Sequence, residues 1–383
     1  MTTAIATGLP GLTLPGLPAA ARPATIRSSG VLLTGAPTLS AHLADWGPLP
    51  HLPLAALVAA AEAAGLRGAG GAGFPLHRKL AAFGGLRVGT VVVNGSEGEP
   101  TSAKDGALLR QSPHLVIDGA VAAARALGAA QIVVIVDPHR PDALASVSRA
   151  AAERHEGVEV RPGTTAFVGG EATAVVNAVS GRDQVPGDLG LPPRRPGRRR
   201  RHVLVSNVET FARLALAVRG IAPATALTTV SGAVERPGVY ELPVTATLGD
   251  AANAAGVHAG SPLVVTGGWH GAWVRWPDAA SGRLTWAGLA DVGGRWGAGA
   301  MVWLPGSLDP RIVLTAMTRV LAAESAGQCG PCVAGLPALA DTLARGHDPH
   351  PVLAEIDGRG LCAHPSATAA AVRSALATIR GSR

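Results

Sequence analysis

Aromatic side chains are scarce: Phe, Trp and Tyr together make up 3% of the 383 residues, against 47% apolar residues overall. The core must therefore come largely from Ala, Val and Leu, and there is ample material for stable packing. Lysine occurs twice, as Lys79 and Lys104, so the net charge of +7 is carried by Arg, a pattern of coding bias more than of a selected surface. Three cysteines is too few, and the wrong parity, for a disulfide framework. No stretch reaches 18 uninterrupted apolar residues. The most apolar long segment, Val116 to Val136, contains Asp118 and Arg125, which excludes a membrane-spanning helix there. The start of the chain has no basic segment followed by an apolar core, so no secretory signal is expected. These absences point to a cytoplasmic chain that reaches the inner face of a membrane only through partners.

Glycine is abundant, at 50 residues, and its densest cluster is GLRGAGGAGFPLHRK, Gly65 to Lys79. Gly68, Gly70, Gly71 and Gly73 let successive backbone N–H groups point into one concavity, and a helix follows with its positive end leading. Lys79 adds a point charge. The pattern is neither the dinucleotide fingerprint nor the Walker loop; it predicts a phosphate site, with an ordinary flexible loop as the competing reading. The run Arg194-Arg195-Pro196-Gly197-Arg198-Arg199-Arg200-Arg201 is basic enough to meet nucleic acid. No interleaved aromatics or nucleic-acid-binding motif accompany it, so a solvated loop is the expectation and no direct nucleic-acid partner is assigned.

In chain order, residues 1–50 read as an extended Pro/Gly-rich lead-in. From 51 to 221, β-branched runs alternate with helical segments: a helix over 54–65, a strand at Val88–Val93, a helix over 113–127, a strand at 130–136, a helix over 141–154 and strands near 158 and 202. That alternation predicts an α/β domain with a partly parallel sheet. Asn94, Glu97 and Glu99 follow the first strong strand, where α/β folds commonly place ligand contacts. Gly169-Gly170-Glu171 repeats the glycine-turn logic in shorter form, and Asn207 follows the strand at 202. Over 222–305 short strands surround a helix at 248–255, predicting a ubiquitin-like β-grasp module. Over 306–383 helices are expected at 309–325, 333–345, 349–357 and 364–379, a small up-down bundle that holds all three cysteines. Cys329-x-x-Cys332 there suggests metal or redox chemistry.

Six segments in one order carry a family resemblance: GAGGAGFPLHRK, VVVNGSEGEPTSAKD, VGGEATA, VSNVET, SGAVERPGVYELP and ESAGQCGPCVAG. The chain resembles the NADH-binding flavoprotein (51 kDa-type) subunit of respiratory complex I and the related subunits of NAD-reducing hydrogenases and formate dehydrogenases, over roughly residues 55–380. The resemblance implies an FMN-binding α/β domain, a ubiquitin-like (SLBB-type) domain and a helical bundle carrying an iron–sulfur cluster. It implies that Gly68, Gly70, Gly71, Gly73 and Lys79 hold FMN, that Phe74 is a stacking position, that Asn94, Glu97 and Glu99 line flavin and nicotinamide, and that Gly170, Glu171 and Asn207 stand on the flavin side. Cys329, Cys332 and Cys362 match three of the four cluster cysteines. The activity implied is transfer of electrons from NADH through FMN to the cluster, in company with a ferredoxin-like or membrane redox subunit. The flavin carries the chemistry, so no side chain is assigned as catalytic.

Three departures from the family pattern bear on this. Ala326 stands where the first cluster cysteine is found, leaving a three-iron cluster, a four-iron cluster with a non-cysteine ligand such as His364, or no cluster. Ala172 replaces a carboxylate that meets NADH in the family. Pro192 to Gly197 replaces the segment that closes over the dinucleotide, and Gly95 and Ser96 alter the acidic loop. The flavin half of the site is kept, whereas NAD(H) binding is open. Two further readings follow: an FMN/iron–sulfur relay that no longer oxidises NADH and takes electrons from a ferredoxin-like partner, and a cofactor-free scaffold subunit.

Overall fold

The computed structural model describes residues 26–28, 30–33, 37–187, 202–222 and 224–381. The first part runs β1 (Ile26–Ser28), α1 (Leu39–Trp46), α2 (Leu54–Ala63), α3 (Leu76–Ala81), β2 (Val88–Gly95), α4 (Lys104–Gln111), α5 (Pro113–Leu127), β3 (Gln131–Val136), α6 (Pro141–Ala152), β4 (Val158–Pro162), α7 (Ala172–Val179), β5 (His202–Asn207) and α8 (Val208–Val218). Strands β4-β3-β2-β5 form a fully parallel sheet in that order. The Val and Ile side chains of β2, β3 and β5 are buried on both faces, as a sheet covered by helices on either side requires. Below it, α5 is buried from Pro113 to Ala124 and lies against α8. Gly119 permits this: a Cβ there would sit 1.9 Å from the Phe211 carbonyl oxygen.

The chain winds from β2 to β3 to β4 on one side and returns to place β5 on the other. The strand order thus reverses between β2 and β5, and a crevice opens outside their carboxyl ends, where open α/β sheets hold ligands. Asn94 and Asn207 are register partners at that point.

The segment expected to be an extended lead-in contains two ordered pieces. β1 pairs with a strand more than two hundred residues later, and α1, capped by Thr38, buries His42. His42 bonds Asp118 at 2.8 Å, and Arg154 and Arg219 each reach the same carboxylate at 2.6 Å. Burial works against the charge of Asp118, but these partners outweigh it and hold its pKa down to about 2.

The second part is β6 (Thr225–Gly232), β7 (Gly238–Pro243), α9 (Leu248–Ala255), β8 (Leu263–Thr266), β9 (Ala272–Arg275), α10 (Trp286–Ala290) and β10 (Ala300–Leu304). These strands and β1 make a mixed sheet, ordered β1-β7-β6-β10-β8-β9. Helix α9 starts in a capping box between Thr247 and Asp250 and stops at Gly256 in the left-handed region. Four helices close the chain: α11 (Pro310–Ala323), α12 (Leu336–Ala344), α13 (His350–Ile356) and α14 (His364–Arg380). They share an apolar cluster with Leu263, Trp269 and Trp273, so they pack on the second sheet. Among the described residues no helix is long and apolar enough to cross a membrane.

Candidate functional site

The glycine loop leaves α2 and enters α3 through a narrow hairpin in which the Gly68 N–H bonds the Phe74 carbonyl at 2.9 Å. Gly71 and Gly73 have φ of 109° and 62°, conformations that L side chains rarely adopt. A Cβ at Gly73 would meet the Trp286 ring at 2.8 Å, so α10 of the second part wedges against the loop. The N–H groups of Gly70, Gly71 and Ala72 have no protein partner among the described residues. Lys79, half-buried on α3, donates to the Val205 carbonyl and has no carboxylate partner among them. Burial lowers its pKa to about 8. Unpaired amides beside an unneutralised ammonium are the arrangement a phosphate satisfies.

The loop after β2 is held open by its own carboxylates. Glu97 adopts a φ of 37°, a strained value for a residue with a Cβ. Its carboxylate fixes that turn by accepting from Ser102 Oγ at 2.8 Å, Asp105 N at 2.9 Å and Gly106 N at 3.0 Å. Glu99 accepts from Thr101 and, at 2.9 Å, from the Trp269 N–H of the second part. Burial raises the Glu99 pKa against the pull of these donors. Asn94 donates to the Gly170 carbonyl at 2.7 Å, locking the second glycine turn to β2. Glu171 caps α7 by accepting from Thr173 N at 2.8 Å. Asn207 caps α8 and donates to Asp105. Lys104 is buried between Asp105 at 2.7 Å and Glu209 at 3.1 Å. Burial opposes its charge, but the two carboxylates hold it above the ordinary lysine range. Burial also lifts Asp105 to about 6, with Lys104 pulling the other way.

One cavity of about 520 Å³ collects these groups. Gly68, Gly70, Gly71, Gly73, Phe74, Lys79, Asn94, Glu97, Glu99, Gly170, Glu171 and Asn207 all line it, and so does Cys362. Phe74 is 54% exposed, an aromatic face at the cavity's edge. Lys104, Asp105, Phe167, His270, Arg295 and His364 line it too, although sequence reasoning nominated none of these as a flavin-site residue. Lys104 carried a signal, being one of two lysines, and Asp105 adjoins it just past the acidic loop; Phe167, His270, Arg295 and His364 come from segments that the chain's topology brings in from afar.

Cys329 and Cys332 sit on the turn entering α12, and Cys362 just precedes α14. The Cys329 and Cys332 thiols hydrogen-bond each other. Cys329 accepts from the N–H groups of Leu361 and Cys332, Cys332 from Gly327, and Cys362 from His364. Burial raises Cys332 to about 11, with Cys329 adding to it, and raises Cys362; at Cys329 the donors overcome burial and lower it. Among the described residues no three His, Cys, Asp or Glu side chains converge on a single ion position. Sulfurs spread over two segments and receiving backbone N–H groups suit a cluster, whose irons stand at separate corners. The Arg194–Arg201 run and the Pro192–Gly197 segment lie outside the described residues.

The Nuo51 FMN-binding domain family matches residues 61–216, and the NADH-ubiquinone oxidoreductase-F iron-sulfur binding region matches residues 312–382. The chain thus carries both regions, the flavin-binding one before the iron–sulfur one. The first match takes in the glycine loop, the acidic loop and Asn207; the second takes in all three cysteines. Proteins similar to it include the NADH-quinone oxidoreductase F 2 subunit of Rhizobium meliloti, 29% identical over 71% of this chain and 72% of that one. The NADH-quinone oxidoreductase F subunit of Escherichia coli is 26% identical over 72% of this chain and 69% of its own. Among solved structures, the crystal structure of an NAD+-reducing [NiFe]-hydrogenase superposes on this chain with a TM-score of 0.79 at 27% identity. That match covers 93% of this chain and 66% of the hydrogenase chain, so the chain spans just under two thirds of that neighbour. The cofactors of the two matched regions, FMN and a [4Fe–4S] cluster, fit what is present: free amides and Lys79 at one end, three cysteine sulfurs at the other.

Proposed function

We propose that this chain is an FMN-dependent electron-transfer subunit of NADH dehydrogenase type, taking electrons from NADH at the cavity and releasing them through an iron–sulfur cluster at Cys329, Cys332 and Cys362. The observation that carries this reading is the continuity of one cavity from the glycine loop and Lys79 to Cys362. When bound, FMN supplies hydride acceptance and the exchange between two-electron and one-electron chemistry. The chain's residues bind and orient. The amides of Gly70, Gly71 and Ala72 and the Lys79 ammonium hold the phosphate. Asn94 and Asn207, paired in register at the carboxyl ends of β2 and β5, would help line the flavin pocket, and the exposed Phe74 offers a face to a second aromatic ligand. We take residues 51–221 as the flavin domain, 222–305 as a ubiquitin-like module and 306–383 as the cluster-bearing helical bundle. A ferredoxin-like protein or a membrane redox subunit is the partner that would receive the electrons, since the relatives named above are subunits of larger oxidoreductases.

A second reading, an electron relay that does not oxidise NADH, is favoured by Ala172 in the second carboxylate's place and by the engagement of Glu97 and Glu99 inside the protein. An anaerobic visible spectrum of the purified chain separates the two. Flavin bands that bleach on adding NADH uphold the dehydrogenase. Bands that bleach with dithionite but persist with NADH favour the relay. Absence of flavin after reconstitution with FMN overturns both and leaves the scaffold.

A further inference from the structure

A four-iron cluster has four corners, and the entire sequence holds three cysteines. Whatever closes the fourth corner is not a cysteine of this chain. Resting on the cluster reading above, we propose that His364 closes it through Nδ1.

His364 is 4% exposed, and its Nε2 lies 2.8 Å from the Leu321 carbonyl oxygen. A carbonyl only accepts, so Nε2 carries the ring proton and Nδ1 presents a bare lone pair. That Nδ1 is buried and has no hydrogen-bond partner. A buried acceptor without a donor costs free energy unless a ligand meets it. Metal-bound histidines characteristically donate the other ring N–H to a backbone carbonyl or carboxylate, which fixes the tautomer. Leu321 already plays that part here.

The position fits as well. His364 follows Cys362 by two residues, and its backbone N–H reaches the Cys362 sulfur. Its Nε2 anchor lies in the last turn of α11, the helix that leads through Ala326 into the Cys329 turn. The imidazole therefore ties the start of α14, just past Cys362, to the end of α11. The neighbouring carboxylates have other work: Glu324 accepts from Phe167 N at 3.1 Å and Glu171 from Thr173 N at 2.8 Å. A neutral imidazole in place of a thiolate makes the cluster less negative and raises its reduction potential.

The test is hyperfine spectroscopy on the reduced full-length chain after anaerobic reconstitution with iron and sulfide, with natural-abundance and with ¹⁵N-labelled histidine, alongside iron counting. The expected result is four irons per chain and one strongly coupled nitrogen whose signature changes with the isotope. In His364→Cys that coupling should vanish, with four irons kept and the midpoint potential lowered. In His270→Gln, which alters the ring lying tilted against His364, the coupling should remain, a check that does not depend on the first variant folding. Four irons without nitrogen coupling overturn the assignment while leaving the cluster reading intact, as does a three-iron cluster. Loss of the coupling in His270→Gln, or its persistence in His364→Cys, also overturns it. No iron uptake by the wild-type chain overturns both the assignment and the cluster.

Discussion

Lys79 is a cation waiting for an anion. Its ammonium touches a carbonyl, and burial lowers its pKa to about 8. A bound phosphate dianion would draw the pKa back up, so binding and protonation are linked. Below about 8 the free protein already carries the charge and binding needs no extra proton. Above it, binding must recharge the amine, and affinity falls by up to about tenfold per pH unit. Below about 6 the phosphate itself takes a proton and affinity falls again. FMN affinity should therefore plateau between these limits, as read by flavin fluorescence titration. Lys79→Met should weaken binding by about 1.5–3 kcal/mol, the worth of a charged hydrogen bond, and erase the alkaline fall. A Lys79→Met titration with the wild-type alkaline limb would sink the assignment.

At the scale of elements, helix α5 shows how an alanine-rich chain poor in aromatics packs closely. It is buried along most of its length, and Gly119 lets it touch the Phe211 backbone of α8. Gly119→Ala must push the helices apart. The expected destabilisation is about 1–3 kcal/mol or more, seen as a lower melting temperature by circular dichroism with helix content unchanged at low temperature. A melting temperature equal to wild type would show that the helices slide at no cost. Elements such as α5, β2 and β3 were legible because their β-branched or Ala/Leu runs are long and end at turn residues. Helix α4 was not, because KDGALLRQ mixes charge and glycine within a single short stretch; its burial comes from packing under the cavity. Helix α1 and strand β1 were hidden by Pro-rich surroundings and by pairing across more than two hundred residues. The glycine loop, Lys79 and the acidic loop declared themselves by local pattern. His270, Arg295 and His364 did not, because only the sheet orders and the C-terminal helices carry them to the same cavity.

At the scale of the molecule, the cavity belongs to no single part: the glycine loop comes from the parallel-sheet half, residues 267–298 from the second sheet and residues 362–367 from the closing helices. The parts are joined at Glu99. One of its oxygens accepts from Thr101, the other from the Trp269 N–H, and Gly268 is a residue where any Cβ would strike this carboxylate at 2.4 Å. Nearby, the Ala103 N–H crosses to Thr229 Oγ1 at 3.0 Å. Glu99→Gln keeps the shape but replaces one acceptor with an NH₂ group, which must then face an N–H donor. One buried donor loses its partner, at about 1–3 kcal/mol. If the seam couples the parts, the damage will not stay local. Hydrogen exchange should quicken in residues 267–271, and FMN affinity should fall although the glycine loop and Lys79 are untouched. Faster exchange with unchanged FMN affinity would mean instead that the parallel-sheet half holds the cofactor alone, and that the second sheet is a lid on a site already complete.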